Sequence, residues 1–266
     1  MSFKPGGAYI DNLPDTAEGK GYYELPSTRD EYLALHFPGG DPLADLLGAA
    51  APPPEERYPF SVRRLWPASP RGEALDVGAA CGRITFDLAA DHAVAWGVDL
   101  SHSLVAAARE VQATGRARYR TVVEGDLTRA WDVAVETAPN ARFAVADALD
   151  LPFRDGRFAT VVALNLVDRV PDPVRALDEL GRVTAPGGTL LVGSPYTWLD
   201  SFTPKRRWLG GFARAGAPVR GADAVRAHLA PAFTFDREDQ RPFFIAHHAR
   251  SGQLGLAHIQ AFVRKP

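Results

Sequence analysis

An α/β domain with a doubly wound, mostly parallel sheet is the fold class that the sequence predicts, and three observations predict it. The run Ala74-Leu75-Asp76-Val77 meets Gly78-Ala79-Ala80-Cys81-Gly82, two glycines separated by three small residues, which is how a strand hands over to a tight turn that a ligand can approach closely. A second apolar run, Ala93 to Val98, ends in Asp99, 21 positions after Gly78, and a third, Phe143-Ala144-Val145, leads to Asp147. Helical stretches fall between these runs at the spacing of crossover connections.

Residues 1–26 are rich in Gly, Pro and acids, which predicts a loose arm; the pair Tyr22-Tyr23 is unusual for an idle one. Ser27 is the expected cap of a helix over Thr28 to Phe37, stopped by Pro38-Gly39-Gly40. Asp41-Pro42 starts another through Leu47, with Pro at its first position. Residues 51–56 make a stiff connector and 58–67 a helix against the sheet edge. After the glycine turn, Ile84 to Ala90 is the first crossover helix, and Ser101 caps the next over Leu104, Ala107 and Ala108. The alternation in 117–140, broken at Gly125-Asp126, predicts an inserted two-stranded hairpin, with a polar helix as the alternative.

Phe158 to Leu166 is the fourth strand, with Asn165 at its carboxyl end, where open α/β sheets hold their ligands. A helix over Pro173 to Val183 stops at Pro186-Gly187-Gly188, and Thr189 to Gly193 is the fifth strand. Residues 194–217 form a long aromatic and basic loop at the same edge, the kind that serves as a binding loop. A helix over 221–229 follows. Strands at 234–236, 243–247 and 258–263 complete the sheet, the last two as an antiparallel pair. The expected organisation is an N-terminal arm and helical lid over 1–66 and a cofactor-binding domain over 67–266.

The bulk numbers exclude some functions. With 30 basic against 32 acidic residues, there is no broad electrostatic footprint for nucleic acid or an anionic membrane, so a small-molecule substrate is expected. Cys81 is the single cysteine, so no intramolecular disulfide forms. No apolar leader opens the sequence and no run of 18 or more apolar residues occurs; the expectation is a soluble, cytoplasmic protein.

The three acids decide the cofactor. A dinucleotide site needs G-x-G-x-x-G and tolerates no carboxylate where a pyrophosphate sits; here the spacing is G-x-x-x-G and Asp76 stands inside the strand end, which disfavours a nicotinamide cofactor. Asp76 suits a cationic amino-acid group, Asp99 the hydroxyls of a ribose and Asp147 an exocyclic amino group, with the Ala148 amide offered to a ring nitrogen. In this order the elements resemble the class I S-adenosylmethionine-dependent methyltransferases. The resemblance implies a Rossmann-like fold with a seven-stranded sheet and helices on both faces, no metal, and cofactor contacts from Asp76, Gly78, Ala79, Ala80, Gly82, Arg83, Asp99, Leu100, Asp147, Ala148, Leu149 and Asn165.

A narrower resemblance rests on SPYTWLDSFTPKRRWLGG, from Ser194, and QRPFFIAHHARSGQLGLAHIQAFVRK, from Gln240. Both are similar to the methyltransferase domain of ovothiol biosynthesis, the 5-thiohistidine (4-mercaptohistidine) N1-methyltransferases; the helix Glu31 to Phe37 and the 117–140 insertion look like that family's too. Ala80 replaces a glycine often found in the first motif. The resemblance implies methyl transfer from S-adenosylmethionine to an imidazole nitrogen of 5-thiohistidine, by a free-standing module acting after a separate sulfoxide synthase and lyase. Such a reaction needs a group to handle the ring proton and a holder for the amino-acid carboxylate. His36, His248 and Tyr196 are the candidates for the first role; Tyr23, Asn165, Arg169, Trp198, His247 and Arg250 are the candidate substrate contacts. His247 and His248, if they lie in a strand, point to opposite faces, so one of them at most meets the pocket. Two readings stay open beside this one: a class I methyltransferase acting on O or N of another metabolite, and a protein that binds S-adenosylmethionine without turnover.

Overall fold

The computed structural model describes residues 19–266; the loose arm expected over the first residues lies mostly outside that range. A 3-10 turn over Gly19–Glu24 leads to α1 (Pro26–His36) and α2 (Pro42–Leu47). β1 (Ser69–Val77), α3 (Arg83–Asp91), β2 (His92–Asp99) and α4 (His102–Thr114) follow, then a hairpin of β3 (Arg116–Glu124) and β4 (Leu127–Ala134). The chain continues through β5 (Ala141–Val145), β6 (Phe158–Leu164), α5 (Pro173–Val183) and β7 (Thr184–Ser194), a long loop carrying the short pair β8 (Phe212–Arg214) and β9 (Ala217–Val219), α6 (Gly221–Leu229), β10 (Phe233–His248) and β11 (Ser251–Arg264).

Seven strands form one sheet in the order β10-β11-β7-β6-β1-β2-β5. The five strands from β7 to β5 are parallel, and β11 and β10 are antiparallel additions at one edge. The central strands are mostly apolar because both faces are covered: α3, α4 and α1 pack on one face, α5 and α6 on the other. Strand order reverses beside β1, with β2 and β5 on one side and β6 and β7 on the other, so a crevice opens beyond the carboxyl ends of β1 and β6. This is the predicted Rossmann-like arrangement.

Residues 117–140 fold as the hairpin, with Tyr119 opposite Trp131. The Tyr119 hydroxyl donates to the Phe37 carbonyl at 2.9 Å and accepts from the Gly39 amide at 2.7 Å, so the insertion fastens the end of α1. Asp41 and Ser101 cap α2 and α4 through Ala44 and Leu104 as expected. Three local expectations are corrected. α1 begins at Pro26 behind Leu25, and Ser27 lies inside it rather than capping it, because proline fits the first helical position. Residues 58–67 make only a 3-10 turn over Val62–Leu65; Pro59 has no amide to donate, and the Tyr58 amide donates to the Pro242 carbonyl at 2.9 Å instead. The two strands expected at 234–236 and 243–247 are one strand, β10; its middle, Arg237 to Arg241, is polar because an edge strand needs no apolar residues to pair. Among the described residues no helix is long and apolar enough to cross a membrane.

Candidate active site

A cavity of about 1060 Å³ lies over the carboxyl ends of the central strands, roofed by residues 21–24, α1, the 195–211 loop and the β10–β11 hairpin. One end is lined by acceptors. The turn after β1 places Gly78 at φ 78°, Ala80 at φ 46° and Gly82 at φ 90°. A β-carbon on Gly82 would stand 2.7 Å from the Phe143 ring, so glycine is required there for conformation and for space. Asp99 accepts from the Ala80 amide at 2.9 Å through one carboxylate oxygen and from the Ser101 amide at 3.0 Å through the other; burial pushes its carboxyl up. Each oxygen keeps a second lone pair, and Asp99 lines the cavity. Asp147, whose carboxylate accepts from the Leu149 amide at 2.9 Å, lines it too, with Gly78, Ala80, Leu100 and Ala148.

The N-terminal turn closes over this end. The Ser101 hydroxyl donates to the Tyr23 carbonyl at 2.9 Å, and the Glu24 carboxylate accepts from the His102 and Ser103 amides at 2.9 and 3.1 Å. An anion at the first turn of α4 satisfies amides that have no partner within the helix. Glu24 is a residue that sequence reasoning missed, since a cap supplied from 78 residues away leaves no local pattern.

The rest of the first motif serves the loop rather than the cavity. Asp76 lies outside the lining; its carboxylate accepts from the Thr85 hydroxyl of α3 at 2.8 Å, and burial pushes it up to about 7. Its expected role at a cationic group is therefore corrected to tying β1 to α3. Ala79 and Gly82 shape the turn from outside the lining, and the Leu149 side chain packs against the core. Arg83 faces away, paired with Asp87 at 3.1 Å and lying 4.8 Å over the Phe60 ring. Cys81 is fully buried and burial pushes its thiol up, as expected of a small packing residue.

The other end of the cavity is aromatic. Tyr23 packs against Tyr22, Tyr32 and Phe202 at ring separations of 5.3, 6.0 and 5.9 Å. Tyr196, at φ 53°, has its ring against Gly221, where any β-carbon would collide with it. Trp198 stacks on Trp208 at 6.2 Å. Among the described residues the Tyr196 hydroxyl, the Trp198 indole nitrogen and the Asn165 side-chain oxygen are buried with no hydrogen-bond partner; all three residues line the cavity, but these polar atoms themselves carry no exposed surface. Tyr32, Tyr58, Phe202 and Trp208 also line it; they come from three separate segments, the last two from the aromatic loop after β7.

Arg169 lines the cavity without being an open clamp. It donates to the Asp168 carboxylate at 2.8 Å and to the Thr197 carbonyl and hydroxyl at 3.1 and 2.8 Å. Asp168, fully buried, also accepts from Ser194 and Thr197 at 2.8 and 3.1 Å. Its charge is matched before any ligand arrives.

Of the histidines, only His247 reaches the lining. Its Nδ1 lies 3.2 Å from one Glu31 oxygen, and the Tyr22 hydroxyl donates to the other at 3.2 Å; the Glu31 hydrogen bond pushes the imidazole pKa up against a smaller lowering by burial. His248 lies outside the lining, exposed, its Nδ1 accepting from the Arg250 amide at 3.2 Å, just past the bulge that breaks the β10–β11 register between Ala246 and His248. His36 is buried beside α3, where its Nδ1 accepts from the Arg83 amide at 3.4 Å and burial pushes it down to about 3. The expected catalytic roles of His36 and His248 are thus corrected to a packing role and a turn contact. Arg250 sits in the same exposed turn, paired with Glu124 at 2.9 Å, and is no substrate contact. Arg250→Ala is expected to leave substrate KM within about twofold and stability within about 0.5 kcal/mol; steady-state kinetics and a thermal melt check both.

Among the described residues no group of three or more His, Cys, Asp or Glu is arranged to hold a metal ion. The family described as a methyltransferase domain matches residues 75–192, from the end of β1 to the end of β7. The chain is 31% identical over 46% of its length to phosphatidylethanolamine N-methyltransferase of Cereibacter sphaeroides, covering 49% of that protein. It is 29% identical over 73% of its length to ubiquinone biosynthesis O-methyltransferase of Methylococcus capsulatus, covering 68% of it. Among solved structures, a SAM-dependent methyltransferase of Methanosarcina mazei superposes over 78% of this chain and 98% of its own at a TM-score of 0.53 and 19% identity, a likeness of fold. The chain spans between about a fifth and a half of the first curated relatives it matches. The matched segment holds the glycine turn, Asp99, Asp147 and Asn165, and the strand order around it is the Rossmann-like order of the neighbours' fold: residues 75–192 match the methyltransferase-domain family.

Proposed function

We propose that this chain transfers a methyl group from S-adenosylmethionine to an imidazole ring nitrogen of 5-thiohistidine, giving ovothiol A and S-adenosylhomocysteine. The observation that carries the methyltransferase reading is the division of one cavity into an end lined by Asp99 and Asp147 and an end lined by aromatic rings. The cofactor fits the first end by its chemistry: ribose hydroxyls and an adenine amino group are donors, and Asp99 and Asp147 are acceptors with spare lone pairs. When bound, the cofactor supplies a methyl group already activated on a sulfonium.

The protein's part is then to bind, align and exclude water, effects that together can lower a barrier by about 7–11 kcal/mol when geometry is ideal. Tyr23, held by Ser101, and the Trp198–Trp208 stack wall the aromatic end. Holding the softer sulfur away from the methyl group is a matter of these contacts. In this reading the segment up to residue 66 acts as a lid on the domain 67–266, the reaction is cytoplasmic, and the substrate arrives from a sulfoxide synthase and a lyase.

The substrate assignment is supported by the likeness of the 194–211 and 240–265 stretches to the thiohistidine enzymes. One observation favours a second reading, methylation at O or N of another, less polar metabolite: Arg169 is already matched by Asp168, so among the described residues of the lining no unpaired Lys or Arg awaits an amino-acid carboxylate. Mass spectrometry after incubation with S-adenosylmethionine and either 5-thiohistidine or histidine, with fragmentation to locate the methyl, tests the proposal. Ring N-methylation of the thiohistidine alone is the expected result. Cofactor binding with no product from either amino acid would reject 5-thiohistidine and leave another acceptor, or binding without turnover.

A further inference from the structure

We propose that His247, oriented by Glu31, is the base that receives the proton released from the acceptor during methyl transfer. The inference rests on the methyl-transfer reading and adds to it a residue and a proton route.

Geometry places the imidazole. Phe243, Ile245 and His247 of β10 all line the cavity, with Gln253 of β11, the partner of Ile245, beside them; His247 is the extra residue of a bulge between Ala246 and His248, where the pairing with β11 breaks register. Glu31 comes from α1 and Tyr22 from the turn before it, so the Tyr22–Glu31–His247 chain exists only when both N-terminal elements are seated on the β10–β11 hairpin. A hydrogen bond from Nδ1–H to a carboxylate leaves the lone pair on Nε2 and makes it more basic, the arrangement by which a second group orients a working histidine. The Tyr22 hydroxyl holds the second Glu31 oxygen and fixes the carboxylate in turn.

The other titratable groups in the lining are unsuited. Burial pushes the phenols of Tyr22, Tyr23, Tyr32, Tyr58 and Tyr196 up, which makes them poor proton acceptors near neutral pH. Asp168 is matched by Arg169, and Glu24 holds the amides of α4. The charged groups on elements packed against His247 are few. From α1, Glu31 acts on it directly, while Asp30 pairs with Arg29 and accepts from the Arg120 amide of β3. Glu124 of β3 is paired with Arg250 of the hairpin turn.

The step balances simply. A bond forms between the ring nitrogen and the methyl carbon as the methyl–sulfur bond breaks, and that bond's electron pair stays on the departing sulfur. One ring proton becomes surplus; His247 Nε2 takes it and passes it to solvent, returning the imidazole to its neutral form.

The base must be unprotonated to act, so kcat should rise with pH through the pKa of His247, which Glu31 holds above the usual histidine value. The test is the pH dependence of kcat for the wild type, Glu31→Gln and His247→Gln with 5-thiohistidine, with cofactor affinity and thermal melts on the same samples. His247→Gln is expected to lower kcat by about 100-fold, the lower range for loss of a general base, and to keep cofactor affinity within twofold. Glu31→Gln should move the acidic limb to lower pH, a displacement that a merely structural glutamate would not produce; a ring-carbon NMR titration of His247 in the same variant should show its pKa falling. A His247→Gln enzyme that folds, binds cofactor and turns over within threefold of the wild type would overturn the proposal, and an unmoved acidic limb would remove Glu31 from it. A wild type that makes no product would instead reject the substrate reading. Should His247→Gln fail to fold, His247→Asn carries the same comparison.

Discussion

Replacing Asp99 by alanine is expected to lower affinity for S-adenosylmethionine by about 100-fold while the fold persists. In the proposed reading the carboxylate is the acceptor for the ribose, and hydrogen bonds to a charged group contribute about 1.5–3 kcal/mol each. A ribose diol offers two, so a loss of about 3 kcal/mol, or two orders of magnitude, is a conservative sum. The same oxygens accept from the Ala80 and Ser101 amides at 2.9 and 3.0 Å, so the variant also loosens the turn that shapes the site. Asp99→Asn separates the two effects poorly, because an amide must turn its NH2 toward one of those two N–H groups. Titration calorimetry with the cofactor, beside a thermal melt, decides the matter. Unchanged affinity would remove the ribose assignment.

The largest stability effect is expected at Asp168. Its side chain is fully buried and receives hydrogen bonds from Ser194, Thr197 and Arg169. In Asp168→Ala the Arg169 guanidinium stays in place with its counter-charge gone, and removing one partner of a buried ion pair costs about 3–5 kcal/mol. For a chain of this size each kcal/mol shifts Tm by about 2–4 °C, so a fall of roughly 10 °C is expected by calorimetry or circular dichroism. Asp168→Asn, which keeps an acceptor for Ser194 or Thr197 but no charge, should fall between. Because Thr197 and Tyr196 belong to the same wall, kcat should fall in both variants by more than cofactor affinity does. A melt within 2 °C of the wild type in the alanine variant would show that water or another residue neutralises Arg169, and the wall would have to be rebuilt around that group.

The cofactor end was legible because its parts are local. A glycine turn declares itself through residues that alone tolerate φ near 78° and 90°, and acids at the ends of apolar runs mark strand termini, so Gly78, Ala80, Asp99 and Asp147 could be named from order and spacing. Even there the reading overreached at Asp76. A pattern places an acid at a strand end, but the face it takes, toward Thr85 rather than the ligand, is settled by the packing of α3.

The substrate end was not legible in the same way. Tyr23, Tyr196 and Trp198 were found because their segments are unusually aromatic, whereas Glu24, Glu31 and the Asp168–Thr197 contact join residues up to 216 positions apart. His247 and His248 are indistinguishable as neighbours in a sequence; one lines the cavity and the other is exposed at a bulge of the β10–β11 ladder, which no local pattern announces. His36 resembled a catalytic histidine and proved to be a buried partner of the Arg83 amide. What the sequence by itself determined is the α/β alternation, the glycine turn after β1 and the placing of Asp99 and Asp147 at strand ends, since each depends on conformational preference over a few residues. Which titratable groups meet in the cavity, which are neutralised before a ligand arrives and which histidine keeps a basic nitrogen there were decided only by tertiary structure. Those properties depend on desolvation and on charges brought together from distant segments, and neither is encoded in any local pattern.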